Sequence, residues 1–333
     1  FRLVSMVEHM RATIEGLGGE YRFQTKVVDL DIDAARQLRG VVLEGGERLA
    51  ADHVVLAVGH SARDTFAMLD ERGVHIEAKP FSIGLRIEHP QSLIDRDRFG
   101  SFAGNPILGA ADYKLVHHCG PGQASGRSVY SFCMCPGGTV VAATSEPGRV
   151  VTNGMSQYSR AERNANAGIV VGIPPADYPG GVLAGIAFQR RWESAAFTAG
   201  GSTYAAPAQL VGDFLAGRRS SALGGVLPSY RPGVTMTDLS ACLPDYVVAA
   251  IREALPAFAR TLPGFAMDDA LLTGVGSRTS SPIRITRDAA CQSLNTPGLF
   301  PAAEGAGYAG GILSAGVDGI RVAEAVARSM LGV

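Results

Sequence analysis

The sequence is poor in charge and lacks the features of a secreted or membrane-spanning chain. Charged residues make up 18% of the 333 residues, the formal net charge is −1, and no basic run stands out. This balance argues against nucleic acid or an anionic membrane as the principal partner. No apolar run is long enough to span a bilayer and no signal peptide is visible. The five cysteines are few, odd in number and not spaced as a disulfide framework, so we expect a cytoplasmic protein.

The rest of the composition describes a folded chain of more than one domain. Hydrophobic residues make up 46% of the sequence, which argues against disorder, and 333 residues can hold a large core. No internal repeat and no low-complexity linker is visible. The sequence therefore predicts two domains.

The most informative stretch runs from residue 296 to residue 320 and is typical of a strand, a glycine-rich loop and a helix. Residues 299–303 form a short apolar run, and Glu304 is the lone charge at its end. Four glycines follow before the helical pattern begins at Ile312, namely Gly305, Gly307, Gly310 and Gly311. The start of such a helix presents amides and a positive dipole end to an anion. A turn without a ligand is the alternative, but it would not need so many glycines and a lone carboxylate.

Residues 305–310 also match the G-x-G-x-x-G fingerprint of dinucleotide-binding folds. That motif is meaningful only when a second strand follows the helix and carries an acidic residue about 20 positions on. The helix takes up nearly all residues after Gly310. The fingerprint interpretation therefore fails.

The run TPGLFPAAEGAG, residues 296–307, resembles the closing motif of FAD proteins of the glutathione-reductase type. The resemblance implies that Glu304 binds the ribityl hydroxyls of FAD. It also implies that the glycine loop and the helix start face the cofactor through Gly305, Gly307, Gly310, Gly311 and Ile312.

The first part of the chain resembles the same proteins. A helix is predicted over residues 2–16, a strand over 21–30, a hairpin around residues 45–46 and a buried strand over 54–58. In the resembling proteins a Thr-x-Val strand covers the adenine and an Ala-x-Gly strand end closes the nucleotide fold, which implies roles for Val27 and Gly59. The opening strand, phosphate-binding glycine loop and ribose-binding acid of such folds have no counterpart before residue 21. We therefore expect an α/β, Rossmann-like FAD/NAD(P)-binding domain that is incomplete at its start.

Residues 78–270 are predicted to form a mixed α/β insertion, which leaves residues 1–77 and 271–333 for the FAD-binding domain. Strands are predicted over 80–88, 114–119, 129–133, 139–144 and 182–188, with a turn at residues 136–138. Helices are predicted over 157–167, 206–215 and 243–259. Four long motifs in and beside this region resemble bacterial uncharacterised FAD-dependent dehydrogenases: KPFSIGLRIEHP (79–90), YSFCMCPGG (130–138), TYAAPAQ (203–209) and SRTSSPIR (277–284).

Few residues in the sequence are candidates for a catalytic, redox or metal-binding role. Arg278 could stabilise a reduced flavin or anchor a substrate carboxylate, and an inter-domain salt bridge is an equal alternative. Cys133 and Cys135 stand at i and i+2 on a predicted strand, where they point to opposite faces, so a redox pair is not expected. Cys135, nearer the turn, is the better candidate if one thiol meets the flavin. His117 and His118 have no second ligand pair at zinc spacing, and we expect no metal site.

Together these patterns favour an FAD-dependent oxidoreductase acting on a small-molecule substrate, with NAD(P)H as a candidate electron donor. The alternative is a non-redox flavin-binding or interaction module, or a fragment without activity of its own.

Overall fold

The structure, a computed structural model, describes residues 2–332. The helices in this range are α1 (Arg2–Gly16), α2 (Arg63–Glu71), α3 (Gln91–Phe99), α4 (Ala184–Ala199), α5 (Val211–Ala216), α6 (Asp245–Ala259) and α7 (Ile312–Leu331). The strands are β1 (Val27–Ile32), β2 (Leu38–Leu43), β3 (Arg48–Ala50), β4 (Val54–Leu56), β5 (Ile76–Ala78), β6 (Phe81–Pro90), β7 (Val116–His118), β8 (Ser128–Ala142), β9 (Thr152–Ser156), β10 (Asn164–Ile173), β11 (Ala206–Leu210), β12 (Val234–Met236), β13 (Leu271–Gly276), β14 (Ile283–Ile285) and β15 (Leu299–Pro301). No helix within residues 2–332 combines the length and the apolar character that crossing a bilayer requires.

A mixed sheet of eight strands dominates the α/β fold. Its order is β12-β11-β13-β6-β10-β8-β7, and β9 pairs with the second half of β8. Only β11 and β12 run parallel, and the other pairs are antiparallel. The central strand β6 alternates apolar residues at 81, 83, 85 and 87 with Ser82, Arg86 and Glu88, so its polar side chains share the opposite face. All of these residues are buried, and α6 packs into the apolar core that the sheet forms.

A smaller group of elements carries the loop at Glu304. Strands β4 and β15 pair in parallel, and a second core around Phe66, Leu69 and Leu299 joins them to α2 and the β1-β2-β3 sheet. The carboxyl ends of parallel strands meet at one edge, which is where open α/β sheets bind ligands. Gly59 and Glu304, which follow these two strands, therefore lie at the same edge.

Two helices expose apolar side chains. Within the described residues α1 buries none of its side chains, although it carries Leu3, Val7 and Met10. Helix α7 buries only Asp318 and Val322, and Ile312 and Leu313 at its start are exposed.

The structure confirms several predicted elements and overturns others. The helices over 2–16, 243–259 and beyond Ile312, the hairpin and the strand beginning at Val54 are present. Residues 184–188 begin helix α4 rather than a strand, because the buried positions 186, 189, 193 and 196 have a helical period that shows only over its full length. Residues 164–167 lie in β10 rather than a helix, because this strand pairs on both sides, with β6 and β8.

Two further predictions in the same region were wrong. The predicted turn at residues 136–138 lies inside the single long strand β8, which absorbs it as register shifts in its pairing with β10. Residues 206–210 form strand β11, and only 211–216 are helical. Strand β13 continues the large sheet to residue 276. The three predicted domain ranges stay a prediction.

Candidate functional site

Glu304 lies in a partly buried position beside His60. Its carboxylate Oε1 is 3.6 Å from His60 Nε2. Burial raises the pKa of Glu304, and the nearby Lys79 opposes that shift. Burial, followed by the Arg278 and Arg63 cations, lowers the pKa of His60 to about 4, so the imidazole is neutral at pH 7. The carboxylate therefore faces a neutral ring, and Lys79 is the cation that acts on it.

The four glycines of the loop divide into two structural and two open positions. A Cβ at Gly305 would lie 2.5 Å from the Gly59 carbonyl oxygen, and one at Gly307 would lie 2.7 Å from the Ile283 carbonyl oxygen. Gly307 also has a φ of 84°, in the left-handed region. At Gly310 and Gly311 a Cβ would meet no atom of the described residues within 4 Å. Neither packing nor a positive φ in this chain requires glycine at these last two positions.

A cavity of about 340 Å³ connects this loop with the large sheet. Glu304, Gly310, Gly311 and Ile312 line it on the loop side. Residues of β6, β8, β9 and β10 line it on the sheet side, and His60 and Arg278 lie at its wall. The amides of Ile312 and Leu313 at the start of α7 donate to no acceptor in the described residues.

Arg278 is part of a buried ion-pair network at the cavity wall. Its Nε donates to Glu193 Oε1 at 2.9 Å and its Nη2 to Glu193 Oε2 at 2.8 Å. Its Nη1 donates to the hydroxyl of Ser61, which follows strand β4, and to that of Ser145. The ion pair of Arg278 with Glu193 is buried, and the hydrogen bond to Ser61 connects it to the segment after strand β4. Whether this pair joins two domains stays a prediction. A second role of Arg278 toward a cofactor stays a prediction.

Arg63 extends this network. Its Nη2 donates to Gln189 at 2.6 Å, while its Nε and Nη1 are buried without a hydrogen-bond partner. Burial, with the neighbouring Arg278 cation, lowers the pKa of Arg63 to about 10. Burial of Glu193 would raise its pKa, but the hydrogen bonds and charges of Arg278, Ser277 and Arg63 hold it below its ordinary value. Glu193 is thus the shared anion of two buried cations.

The cysteines lie differently from the sequence-based expectation. Cys133 has a φ of 43° and lines the cavity, whereas Cys135 is buried and its thiol contacts the Cys133 carbonyl oxygen at 3.3 Å. If either thiol meets a ligand in the cavity, it is Cys133 rather than Cys135. Burial is the main cause that raises the pKa of Cys133, so its thiol stays protonated at neutral pH. All five cysteines are free.

Val27 and the histidine pair lie away from the cavity. Val27 is 37% exposed at the start of β1 and does not line the cavity, so its role toward adenine stays a prediction.

His117 Nε2 lies 2.9 Å from Glu253 Oε1, and together with Cys119 these residues place three ligand atoms within 4.8 Å of one another. Sequence spacing could not show this cluster, because Glu253 comes from α6.

Two cavity residues were not singled out from the sequence. His60 directly follows the Ala-x-Gly strand end, and that position beside Gly59 is a signal that could have identified it. Arg86 is a charged residue on β6, a strand whose residues are nearly all buried, and a charge in such a strongly apolar run is also a recognisable signal. Glu193 carries no local signal, because its partners lie more than 80 residues away in sequence.

Comparisons with known proteins agree with this architecture. A family model described as "FAD-dependent protein, C-terminal domain-like" matches residues 80–279. An uncharacterized protein of Clostridium beijerinckii is 48% identical over 323 residues, which is 97% of this chain and 60% of that protein. The chain therefore belongs to the family of FAD-dependent proteins with this C-terminal domain, and it spans about three fifths of the length of that relative. FAD is the cofactor of the family.

The residues present fit such a cofactor. FAD offers ribityl hydroxyls, for which a carboxylate such as Glu304 is a suitable acceptor. The unpaired amides at the start of α7 suit a carbonyl-bearing ring edge, and the open space before Gly310 and Gly311 allows a ring to approach the backbone.

Proposed function

We propose that this protein is an FAD-dependent oxidoreductase that acts on a small-molecule substrate in the cavity between the Glu304 loop and the large sheet. The observation that carries the proposal is the pair Gly310 and Gly311, which face open space at this cavity without a conformational or packing reason to be glycine. In this proposal β4, β15 and the flanking helices belong to a Rossmann-like cofactor domain, and the eight-stranded sheet supplies the substrate side.

The residues of this chain would hold and orient the cofactor. Glu304 would accept hydrogen bonds from the ribityl hydroxyls, and the Ile312 and Leu313 amides would donate to the ring edge. Because His60 is neutral, it does not form an ion pair with Glu304 that would compete with this role. When bound, FAD supplies the electron-transfer chemistry, and the protein supplies binding, orientation and exclusion of water.

The protonation states of Cys133 and His60 argue against a hydrolytic function that would use either group. The cavity thiol of Cys133 is held protonated by burial, and the His60 imidazole has too low a pKa to be a strong base. Neither group has the properties of an activated nucleophile or a general base poised near pH 7.

The proposal is tested by loading the purified protein with FAD and titrating it anaerobically with NADH and with NADPH. We expect bleaching of the flavin absorbance band by one of them and reoxidation by small-molecule acceptors. Tight FAD binding without reduction by either nucleotide, and without turnover with any acceptor after chemical reduction, would favour a non-redox flavin module instead.

A further inference from the structure

Arg86 is a buried cation on the sheet side of the cavity that has no carboxylate partner. It is 3% exposed. Its Nε donates to Asn166 Oδ1 at 2.9 Å and its Nη2 to the Cys133 carbonyl oxygen at 2.6 Å. No Asp or Glu in residues 2–332 forms an ion pair with it, in contrast to Arg278. Buried arginines are usually paired, because an uncompensated charge is costly to remove from water.

The third nitrogen of this guanidinium, Nη1, makes no hydrogen bond within the described residues. A Cβ built on the cavity-lining Gly168 would lie 3.7 Å from it. A cationic N–H is thus left unsatisfied beside the cavity.

The other groups on the sheet side are mostly apolar. Phe132, Met155 and Val151 also line the cavity. The free guanidinium N–H suits a carboxylate oxygen, whereas a phosphate carries more charge than one cation offsets. The walls in turn suit an apolar or aromatic body.

We propose that this cavity binds a small carboxylate with an apolar body, anchored by Arg86. The proposal rests on the proposed function, because it gives the substrate class for the same cavity. It also gives a role to a buried arginine on β6 that has no counter-ion among residues 2–332. The alternative acceptor for the Arg86 N–H is the cofactor itself, since a flavin carbonyl could occupy the place of the carboxylate.

The experiment measures binding rather than turnover. FAD-loaded protein is titrated with benzoate, with the neutral analogue benzamide and with inorganic phosphate, by calorimetry and by the shift of the flavin absorbance band. The flavin-free protein is titrated by calorimetry alone. Arg86→Met removes the cation while keeping an unbranched apolar side chain.

Gly168→Ala keeps Arg86 and adds a methyl group beside Nη1 at ordinary contact distance, so it fills the anchor point without a clash. Gly172→Ala is the matched control, because Gly172 lies on the same strand, has no neighbour within 4 Å of a built Cβ and does not line this cavity.

We expect wild type and Gly172→Ala to bind benzoate in preference to benzamide and phosphate. Arg86→Met and Gly168→Ala should each weaken benzoate binding by about 10- to 100-fold, the range for a lost charged hydrogen bond. If Arg86→Met does not fold, Gly168→Ala alone decides. Absence of benzoate binding to wild type, or equal binding to Gly168→Ala and Gly172→Ala, would overturn the proposal.

The outcomes separate this proposal from the proposed function. Redox-active FAD together with benzoate binding that does not depend on Arg86 would reject only the carboxylate site. Loss of FAD in Arg86→Met with benzoate affinity unchanged would assign Arg86 to the cofactor and also reject it. Failure of the protein to use FAD, with Arg86-dependent benzoate binding in the flavin-free protein, would reject only the oxidoreductase.

Discussion

Replacement of Glu193 by glutamine removes the anion that two buried arginines share behind the cavity. Glu193 is fully buried, and Arg278 donates two hydrogen bonds to it. Glutamine keeps the shape but leaves Arg278 and Arg63 without that counter-charge. Breaking a buried ion pair by removing one partner costs about 3–5 kcal/mol of unfolding free energy. We expect a loss of this size, partly offset by Glu146, which lies 3.5 Å from Arg278 Nη2.

The measurement is urea unfolding followed by circular dichroism, with the m-value compared to confirm that the same surface is exposed. Glu47→Gln is the matched control, because Glu47 forms an exposed ion pair with Arg22 that should contribute about 0–1 kcal/mol. If Glu193→Gln costs no more than Glu47→Gln, Glu193 is not the anion that stabilises this network.

A double replacement separates stability from cofactor binding. Changing Glu193 to leucine and Arg278 to methionine removes both charges, and such paired replacements often cost little. We expect the double variant to be more stable than Glu193→Leu alone. FAD retention in the double variant would show that Arg278 serves the network only, whereas its loss would support the role of Arg278 at the flavin.

Three further predictions concern the cofactor loop and the response to acid. Glu304→Gln should weaken FAD binding by about 1–3 kcal/mol with unchanged folding, measured by FAD retention, and unchanged retention would reject the ribityl assignment. Gly311→Val should weaken FAD binding by about 1–3 kcal/mol, while Gly319→Val, at an equally open position further along α7, should not; equal retention would mean that the loop is only a turn. Burial lowers the pKa of His89 from 6.5 to about 4, so the unfolded chain binds the additional proton and stability falls as pH drops from 6.5 through 4. That contribution amounts to about 3 kcal/mol, and an unfolding series with the same acid dependence in His89→Gln would contradict it.

The parts of the fold that could be predicted from the sequence are those with a local signal. Helix α7 and the strand before Glu304 follow from apolar periodicity and glycine placement, and α6 follows from its long amphipathic pattern. The errors fall where pairing decides the structure. Strand β10 was assigned in part to a helix, and β8 was divided at Pro136, because hydrogen bonds to distant strands outweigh local preference there.

The same difference between local and long-range signals applies to the residues of the candidate site. Glu304 and the glycines could be proposed as site residues from the sequence, because one contiguous segment carries them. The distinction between structural Gly305 and open Gly310 could not be made, since it depends on the Gly59 carbonyl from another strand. The Arg278–Glu193 pair could be considered only as an alternative, because nothing near Arg278 in sequence identifies its partner.

The charges around the cavity show which of its cations remains available to a ligand. Glu193 compensates Arg278, and His60 is neutral at pH 7 because its pKa is about 4. The Glu304 carboxylate and the Arg86 guanidinium remain, and the Cys133 thiol between them responds to both, since Arg86 lowers its pKa and Glu304 raises it. Burial outweighs the Arg86 effect and keeps that thiol protonated, so Arg86 does not gain a thiolate as its counter-ion. A cation that residues 2–332 leave without an ion pair, in a cavity with apolar walls, is best stabilised by an anion from a ligand. In our proposal the flavin held at the Glu304 loop lies within reach of that ligand.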